Sequence, residues 1–163
     1  MREQATSSAI SEAATAARDL ASCALRILVI DDDHLHRLII CRAAAKAGFL
    51  PTEAANYEEA AKLTREAAFD CITLDLLLGE HAGIEMLRHL WTLGCKTPIV
   101  IISGCDPAVA QEMTRFARSL QLNVRESLPK PVDLGLLRYC LERLKALCDA
   151  APAAHGLVRH DAA

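Results

Sequence analysis

Three kinds of side chain in this sequence have the type and placement to do chemistry together. Asp31, Asp32 and Asp33 close the run R-I-L-V-I, Asp75 closes C-I-T-L, Ser103 closes P-I-V-I-I, and Lys130 stands between two prolines in L-P-K-P. Each polar group sits where an apolar segment stops, as expected for residues displayed at the mouth of a core. Carboxylates gathered within a few ångströms repel one another, and at neutral pH such a group persists mainly when a cation occupies it. Oxygen donors select a hard ion, and two or three carboxylates with room for water suit Mg²⁺ better than a closed protein cage. A hydroxyl and an ammonium beside one carboxylate complete a site for a phosphoryl group. Mg²⁺ and Lys130 would neutralise its oxygens, Ser103 would donate a hydrogen bond to one of them, and Asp75 would be the in-line nucleophile, yielding an acyl phosphate. Taken alone, Asp75 reads equally well as a residue that caps or solvates a strand end.

That chemistry requires the segments to end on one edge of a sheet. Arg26 to Asp31 is β-branched without alternation, which predicts a central parallel strand covered on both faces. A helix over 34–47 follows, with Leu35, Leu38 and Ile39 inward and Gly48 as its C-terminal cap. Leu50 to Ala54 contains Pro51 and suits an edge strand. Asn56 with Glu59 forms a capping box opening a helix to about Ala68, with Ala60, Leu63, Thr64 and Ala67 inward. After the strand ending at Asp75, Gly79 and Gly83 predict a flexible turn into a helix striped by Ile84, Leu87, Leu90 and Trp91, which stops at Gly94. Pro98 to Ser103 is a buried strand. Asp106 and Pro107 open a helix carrying Val109, Met113, Phe116 and Leu120 inward. Leu122 to Leu128 is a fifth strand, and Asp133 caps a last helix with Leu134, Leu137, Leu141 and Leu144 inside, ending near Cys148. Strands alternating with helices predict a parallel sheet with right-handed crossovers and helices on both faces. The C-terminal ends of its strands share one edge, where ligands bind in such folds.

The chain has 163 residues, 52% hydrophobic and 24% charged, which fits one domain with short extensions. Residues 1–24 are rich in Ala and Ser with a weak stripe from Ile10 to Ala21, and predict an extension that is partly helical or disordered. Residues 149–163 predict a disordered tail. A net charge of -3 provides no basic footprint for nucleic acid or an anionic membrane. Seven cysteines with no C-x-x-C pair, mostly inside apolar runs, predict core residues in a reducing cytosol rather than a disulfide frame or zinc site. His34 and His36 are two apart and would point in different directions, so they make no metal pair. No apolar run reaches the roughly 18 residues of a membrane span. Charges at Arg2, Glu3, Glu12, Arg18 and Asp19 interrupt any secretory signal, which predicts a cytoplasmic protein.

Across roughly residues 25–148 these motifs resemble the receiver domain of bacterial two-component response regulators. V-I-D-D-D resembles the family's acidic pair, which implies metal binding by Asp31 and Asp32, with Asp32 the direct ligand. D-L-L-L-G-E-H-A-G resembles the phosphoacceptor segment, a carboxylate with Gly83 eight residues later, and implies phosphorylation of Asp75 and a metal-bound backbone carbonyl at Leu77. I-I-S-G implies Ser103 as the switch hydroxyl and Gly104 as the small neighbour that leaves the phosphate room. L-P-K-P implies Lys130 as the ammonium and a cis Lys130–Pro131 bond. The implied fold is α/β, a five-stranded parallel (βα)5 flavodoxin-like doubly wound sheet of order 2-1-3-4-5. The implied function is a signalling domain, not an enzyme in the ordinary sense, phosphorylated by a sensor histidine kinase with Mg²⁺ and assisting its own phosphorylation and dephosphorylation. An alternative is a phosphorelay intermediate that passes its phosphoryl group to a histidine phosphotransfer protein. A Mg²⁺-dependent aspartyl-phosphate hydrolase would need an acid where Leu77 stands. An unphosphorylated scaffold would not need the full set of charged groups that is present.

Several positions depart from the family pattern. Ser127 stands where an inward-rotating aromatic is often found, Gly79 where a proline is expected, and Ala82 where an acid or amide is common. Arg118 to Pro131 is longer and more polar than usual and resembles receivers attached to cyclic-di-nucleotide phosphodiesterase outputs. With no such output in the sequence, the effect is expected to pass through a partner protein or a homodimer, by a shift over Gly104 to Pro107 and the helix that follows. Leu136, Cys140 and Leu147 flank the inner stripe of the last helix, and either extend the core or form an adhesive strip for a second copy or a kinase. Leu77 and Cys105 occupy the two positions that help admit water to the acyl phosphate, which predicts slow self-hydrolysis.

Overall fold

The runs lacking alternation form the middle of a sheet. β1 (Arg26–Ile30), β3 (Cys71–Leu74) and β4 (Ile99–Ser103) are buried throughout apart from Arg26, as a strand covered on both faces must be. The computed structural model describes residues 24–79 and 81–150. β2 (Leu50–Ala54) and β5 (Val124–Pro129) complete one parallel sheet of order β2-β1-β3-β4-β5. β2 takes the edge, as Pro51 requires. The Leu50 N–H donates to the Leu25 carbonyl at 2.7 Å, so the next nitrogen along, that of Pro51, turns away from β1 where no donor is needed. The expectations for the N-terminal extension and the tail lie outside the described residues, save for a few at the edges.

Alternate strand residues feed two cores. Leu28, Ile30, Ile72, Leu74, Ile99 and Ile101 pack under α2 (Tyr57–Glu66), α3 (Gly83–Thr92) and α4 (Pro107–Ser119). Ile27, Val29, Val100 and Ile102 pack under α1 (His34–Lys46) and α5 (Leu134–Ala150). Helix starts are set by side-chain caps: Asp33 accepts from the His36 N–H, Asn56 from Glu59, Asp106 from Ala108 and Asp133 from Leu136. Gly48 and Gly94, with φ of 89° and 63°, turn the chain out of α1 and α3. Among the described residues no helix is long and apolar enough to cross a membrane.

Several helices are rotated from the faces expected of them. In α1 the buried residues are Arg37, Ile40, Cys41, Ala43 and Ala44, whereas Leu35 is 66% exposed and Ile39 is exposed as well. An arginine takes the inner stripe because its charge finds partners there, and that displaces the apparent apolar face. In α3 Met86 is buried and Trp91 is 55% exposed. In α4 Val109 faces solvent while Thr114 and Ala117 are buried, the Thr114 hydroxyl being satisfied by the Ala110 carbonyl at 2.8 Å. In α5 Leu134 is exposed, Cys140 joins the core, and Leu136 and Leu147 remain at the surface. Cys41, Cys71 and Cys140 are buried, and none of the described cysteines forms a disulfide with another. Burial pushes the Cys41 thiol up to about 11.

The segment after Asp75 differs from the simple turn expected. Leu77–Leu78 pairs antiparallel with His81–Ala82 in a two-residue ladder, and Gly79 at φ 56° lies in the reversal. Gly83 is present for space rather than flexibility. Its N–H donates to the Leu76 carbonyl at 2.9 Å, and a Cβ there would stand 2.6 Å from the Leu76 Cα. Backbone cannot yield as a side-chain tip can, so Gly83→Ala should destabilise by about 1–3 kcal/mol. Urea denaturation checks this, and a variant as stable as the unmutated protein would show that the contact is not as tight as described.

Candidate functional site

The register of the ladders brings the reactive residues side by side. The Asp31 N–H donates to Ala54 beyond β1, and the Asp75 N–H donates to the Ile30 carbonyl at 2.9 Å, so the two aspartates leave neighbouring strands at one level. Ser103 ends β4, and its carbonyl accepts the Lys130 N–H at 2.9 Å. The Lys130–Pro131 bond is cis. Asp31, Asp75, Ser103 and Lys130 thus occupy successive strand ends along one edge, and Asp32 lies beside Asp31 on the solvent side.

One ammonium holds two buried carboxylates. Lys130 Nζ lies 2.6 Å from Asp75 Oδ2 and 2.8 Å from Asp31 Oδ2. Asp31 is 1% and Asp75 3% exposed. The remaining oxygens meet backbone donors, Asp31 Oδ1 taking the Asp33 N–H at 2.9 Å and Asp75 Oδ1 the Leu77 N–H at 3.0 Å. Asp32 is exposed, and its Oδ2 accepts the Gly79 N–H at 3.0 Å. Carboxylate oxygens of Asp31, Asp32 and Asp75 all lie within 4.8 Å of one another. Ser103 is buried, and its Oγ receives the Cys105 N–H at 3.4 Å. Gly104 lies beside Lys130, and an added Cβ would stand in ordinary van der Waals contact with that side chain, at 3.7 Å. A cavity of about 670 Å³ begins at Ser103 and Cys105 and runs between α4 and β5 to Arg118, with Ser127 in its wall.

Charge and burial compete within this cluster. Burial raises the Asp31 carboxyl above its usual range, and the Lys130 contact only partly offsets it. Burial also opposes the Lys130 charge, but hydrogen bonds and attraction from Asp31 and Asp75 outweigh it and raise the ammonium. Asp33 goes the other way, because the His36 N–H bond favours its charged form, and it serves as a helix cap.

The residues singled out from sequence converge here, with Leu77 contributing its N–H to Asp75 and exposing its side chain. One residue was missed. Arg37 donates to the Asp31 carbonyl at 2.7 Å and to Glu53 at 3.0 Å, directly behind the cluster. Its only signal in the sequence is a charge in the first turn of a helix whose other polar residues are expected to face water.

The Asp31 shift has a consequence for stability. A carboxyl with a raised folded-state value favours folding below its unfolded value near 3.8, and that contribution is lost as pH rises through the folded value. In chelator at neutral pH, Asp31→Asn should therefore be more stable than the unmutated protein, with the difference shrinking as pH falls toward 3.8. Thermal midpoints across pH check this, and a variant less stable at every pH would contradict it.

Comparison with known proteins bears on what this cluster belongs to. The chain is 28% identical over 114 residues to Regulator of RpoS of Escherichia coli (strain K12), covering 69% of this chain and 32% of that protein. It is 30% identical over 123 residues to Transcriptional regulatory protein ZraR of Klebsiella oxytoca, covering 74% and 26% respectively. The chain thus spans about a third or less of the length of these curated relatives. The crystal structure of a response regulator from Colwellia psychrerythraea aligns with a TM-score of 0.66 at 25% identity, covering 78% of this chain and 98% of that one. Residues 27–142 match the family model for the response regulator receiver domain, and on that match the chain belongs to the receiver domain family of two-component signalling.

Proposed function

We propose that this receiver accepts a phosphoryl group on Asp75 from a sensor histidine kinase in the cytoplasm, and passes the signal to a partner protein. The observation that carries the reading is a buried carboxylate whose two oxygens are held by the Lys130 ammonium and the Leu77 N–H, inside a group of three mutually close acids. A hard divalent ion fits that group, because all donors are oxygens and Asp32 leaves one side open to solvent. Asp31, Asp32, Asp75 and the Leu77 carbonyl would hold Mg²⁺, which when bound supplies positive charge for the phosphoryl oxygens.

The remaining chemistry belongs to the chain. An Asp75 oxygen forms a bond to phosphorus as the donor's P–N bond breaks, and the donor imidazole keeps that electron pair and takes up a proton from solvent. Lys130 turns from the carboxylates to the new dianion, and Ser103 donates its hydroxyl to one phosphoryl oxygen. The Lys130 N–H is bonded to the Ser103 carbonyl, so this movement bears directly on Gly104 to Pro107 and the start of α4. Leu136 and Leu147, exposed on α5, offer apolar area to a second copy or an effector.

Incubation with acetyl phosphate and Mg²⁺ should add the mass of one phosphoryl group to the protein, and none with Asp75→Asn or in chelator. Labelling of the Asp75→Asn protein to the same extent would sink the assignment. The acyl phosphate should also be long-lived, because Leu77 and Cys105 give an attacking water no strong acceptor. Decay within seconds in the absence of any phosphatase would contradict this.

A further inference from the structure

Arg37 is an unusual residue for the inner stripe of α1. Its side chain is 11% exposed, and its guanidinium is divided among three sets of partners. Nε donates to Glu53 Oε2 at 3.0 Å, Nη1 donates to the Asp31 carbonyl at 2.7 Å and reaches the Asp32 carbonyl at 3.5 Å, and Nη2 lies 3.4 Å from His34 Nδ1. A helix that needed only packing would place leucine here. A guanidinium is a rigid planar fork, so fixing Nε on Glu53 also fixes the direction of Nη1. The two carbonyls it meets belong to the two residues whose carboxylates face Asp75. Both carbonyls lie past the end of β1, and for that of Asp31 the Arg37 guanidinium is the close donor, at 2.7 Å.

We propose that Arg37 is a positioning residue for the divalent-ion site, with Glu53 on the edge strand as its anchor. The inference rests on the reading of Asp31, Asp32 and Asp75 as that site. Holding the carbonyls of Asp31 and Asp32 fixes the two peptide units that follow them, and with them the points from which both side chains leave the backbone. Arg37 does not touch the ion; it limits where the ligands can go. Glu53 is half-exposed, so the anchor of this bracket is open to solvent.

The test is Mn²⁺ binding to the full chain, followed by electron paramagnetic resonance and by Mg²⁺ competition, with thermal midpoints taken in chelator. Arg37→Lys keeps the charge and loses the fork. It should weaken Mn²⁺ binding by roughly tenfold, the scale typical of residues that orient metal ligands. Glu53→Gln should weaken it several-fold, and that loss should persist at high salt, where any direct attraction between Glu53 and the ion is screened. The double variant should bind no more weakly than Arg37→Lys alone, because Glu53 acts only through Arg37. A lower thermal midpoint with unchanged Mn²⁺ affinity in both single variants would mean a purely structural role and would overturn the proposal. If Arg37→Lys fails to fold, unchanged affinity in Glu53→Gln overturns it alone. The underlying reading fails separately: if the unmutated chain takes up no Mn²⁺, or Asp32→Asn binds it equally well, the ion site and this inference fall together.

Discussion

The site depends on one ammonium placed between two buried carboxylates. Asp31 and Asp75 leave adjacent strands at the same level, so their charges are forced together by the register of the sheet and not by any local preference. Taking each ion out of water costs several kcal/mol even after relaxation, and two like charges in contact add to that. Lys130 arrives from the far side of β4 and pairs with both, at 2.6 Å from Asp75 and 2.8 Å from Asp31, offsetting one of the two negative charges. The sheet beneath, apolar on both faces through β1, β3 and β4, is what offsets the cost. Such a cluster is sensitive by construction, because its net charge and its contacts change with any ion or anion that enters.

The acidic triplet shows how three identical side chains are given different work by their surroundings. Asp33 is spent on capping α1 and is held in its charged form by the His36 N–H. Asp31 is buried against Lys130 and is pushed toward protonation by that burial. Asp32 stays in solvent, steadied by the Gly79 N–H from the ladder that follows Asp75. Gly79 and Gly83 are needed for different reasons, one for a left-handed turn that aims an N–H and one for a close approach to Leu76. The Leu77 N–H to Asp75 bond needs neither glycine, being the local turn an aspartate makes with the backbone two residues on.

Much of this was legible in the sequence. The uninterrupted apolar runs announced buried parallel strands, Pro51 announced the edge, and polar residues at the run ends announced a shared site. Faces of helices were harder to read. In α1 the apolar residues Leu35 and Ile39 are outside while Arg37 is inside, and only the positions of Glu53 and two backbone carbonyls make that arrangement stable. Hydrophobic periodicity cannot register a buried charge whose partners lie elsewhere in the chain. The small ladder around Gly79 was likewise invisible, since a pairing of two residues on each side leaves no pattern in composition.

The departures from the family pattern bear on how the site communicates. An inward-turning ring has no counterpart at Ser127, and the cavity between α4 and β5 remains open from Ser103 to Arg118. What links the cluster to the surface is Ser103, whose carbonyl accepts the Lys130 N–H and whose Oγ accepts the Cys105 N–H. Both bonds end on one residue, so on the proposed reading a hydroxyl that turns toward a phosphoryl oxygen must also alter its relation to Cys105. Asp106, which caps α4 through the Ala108 N–H, follows immediately. On the proposed reading, the charge therefore acts through Ser103, Gly104 and Cys105 on the start of α4, so that a shift of that helix start would stand in for the rotation of an aromatic side chain.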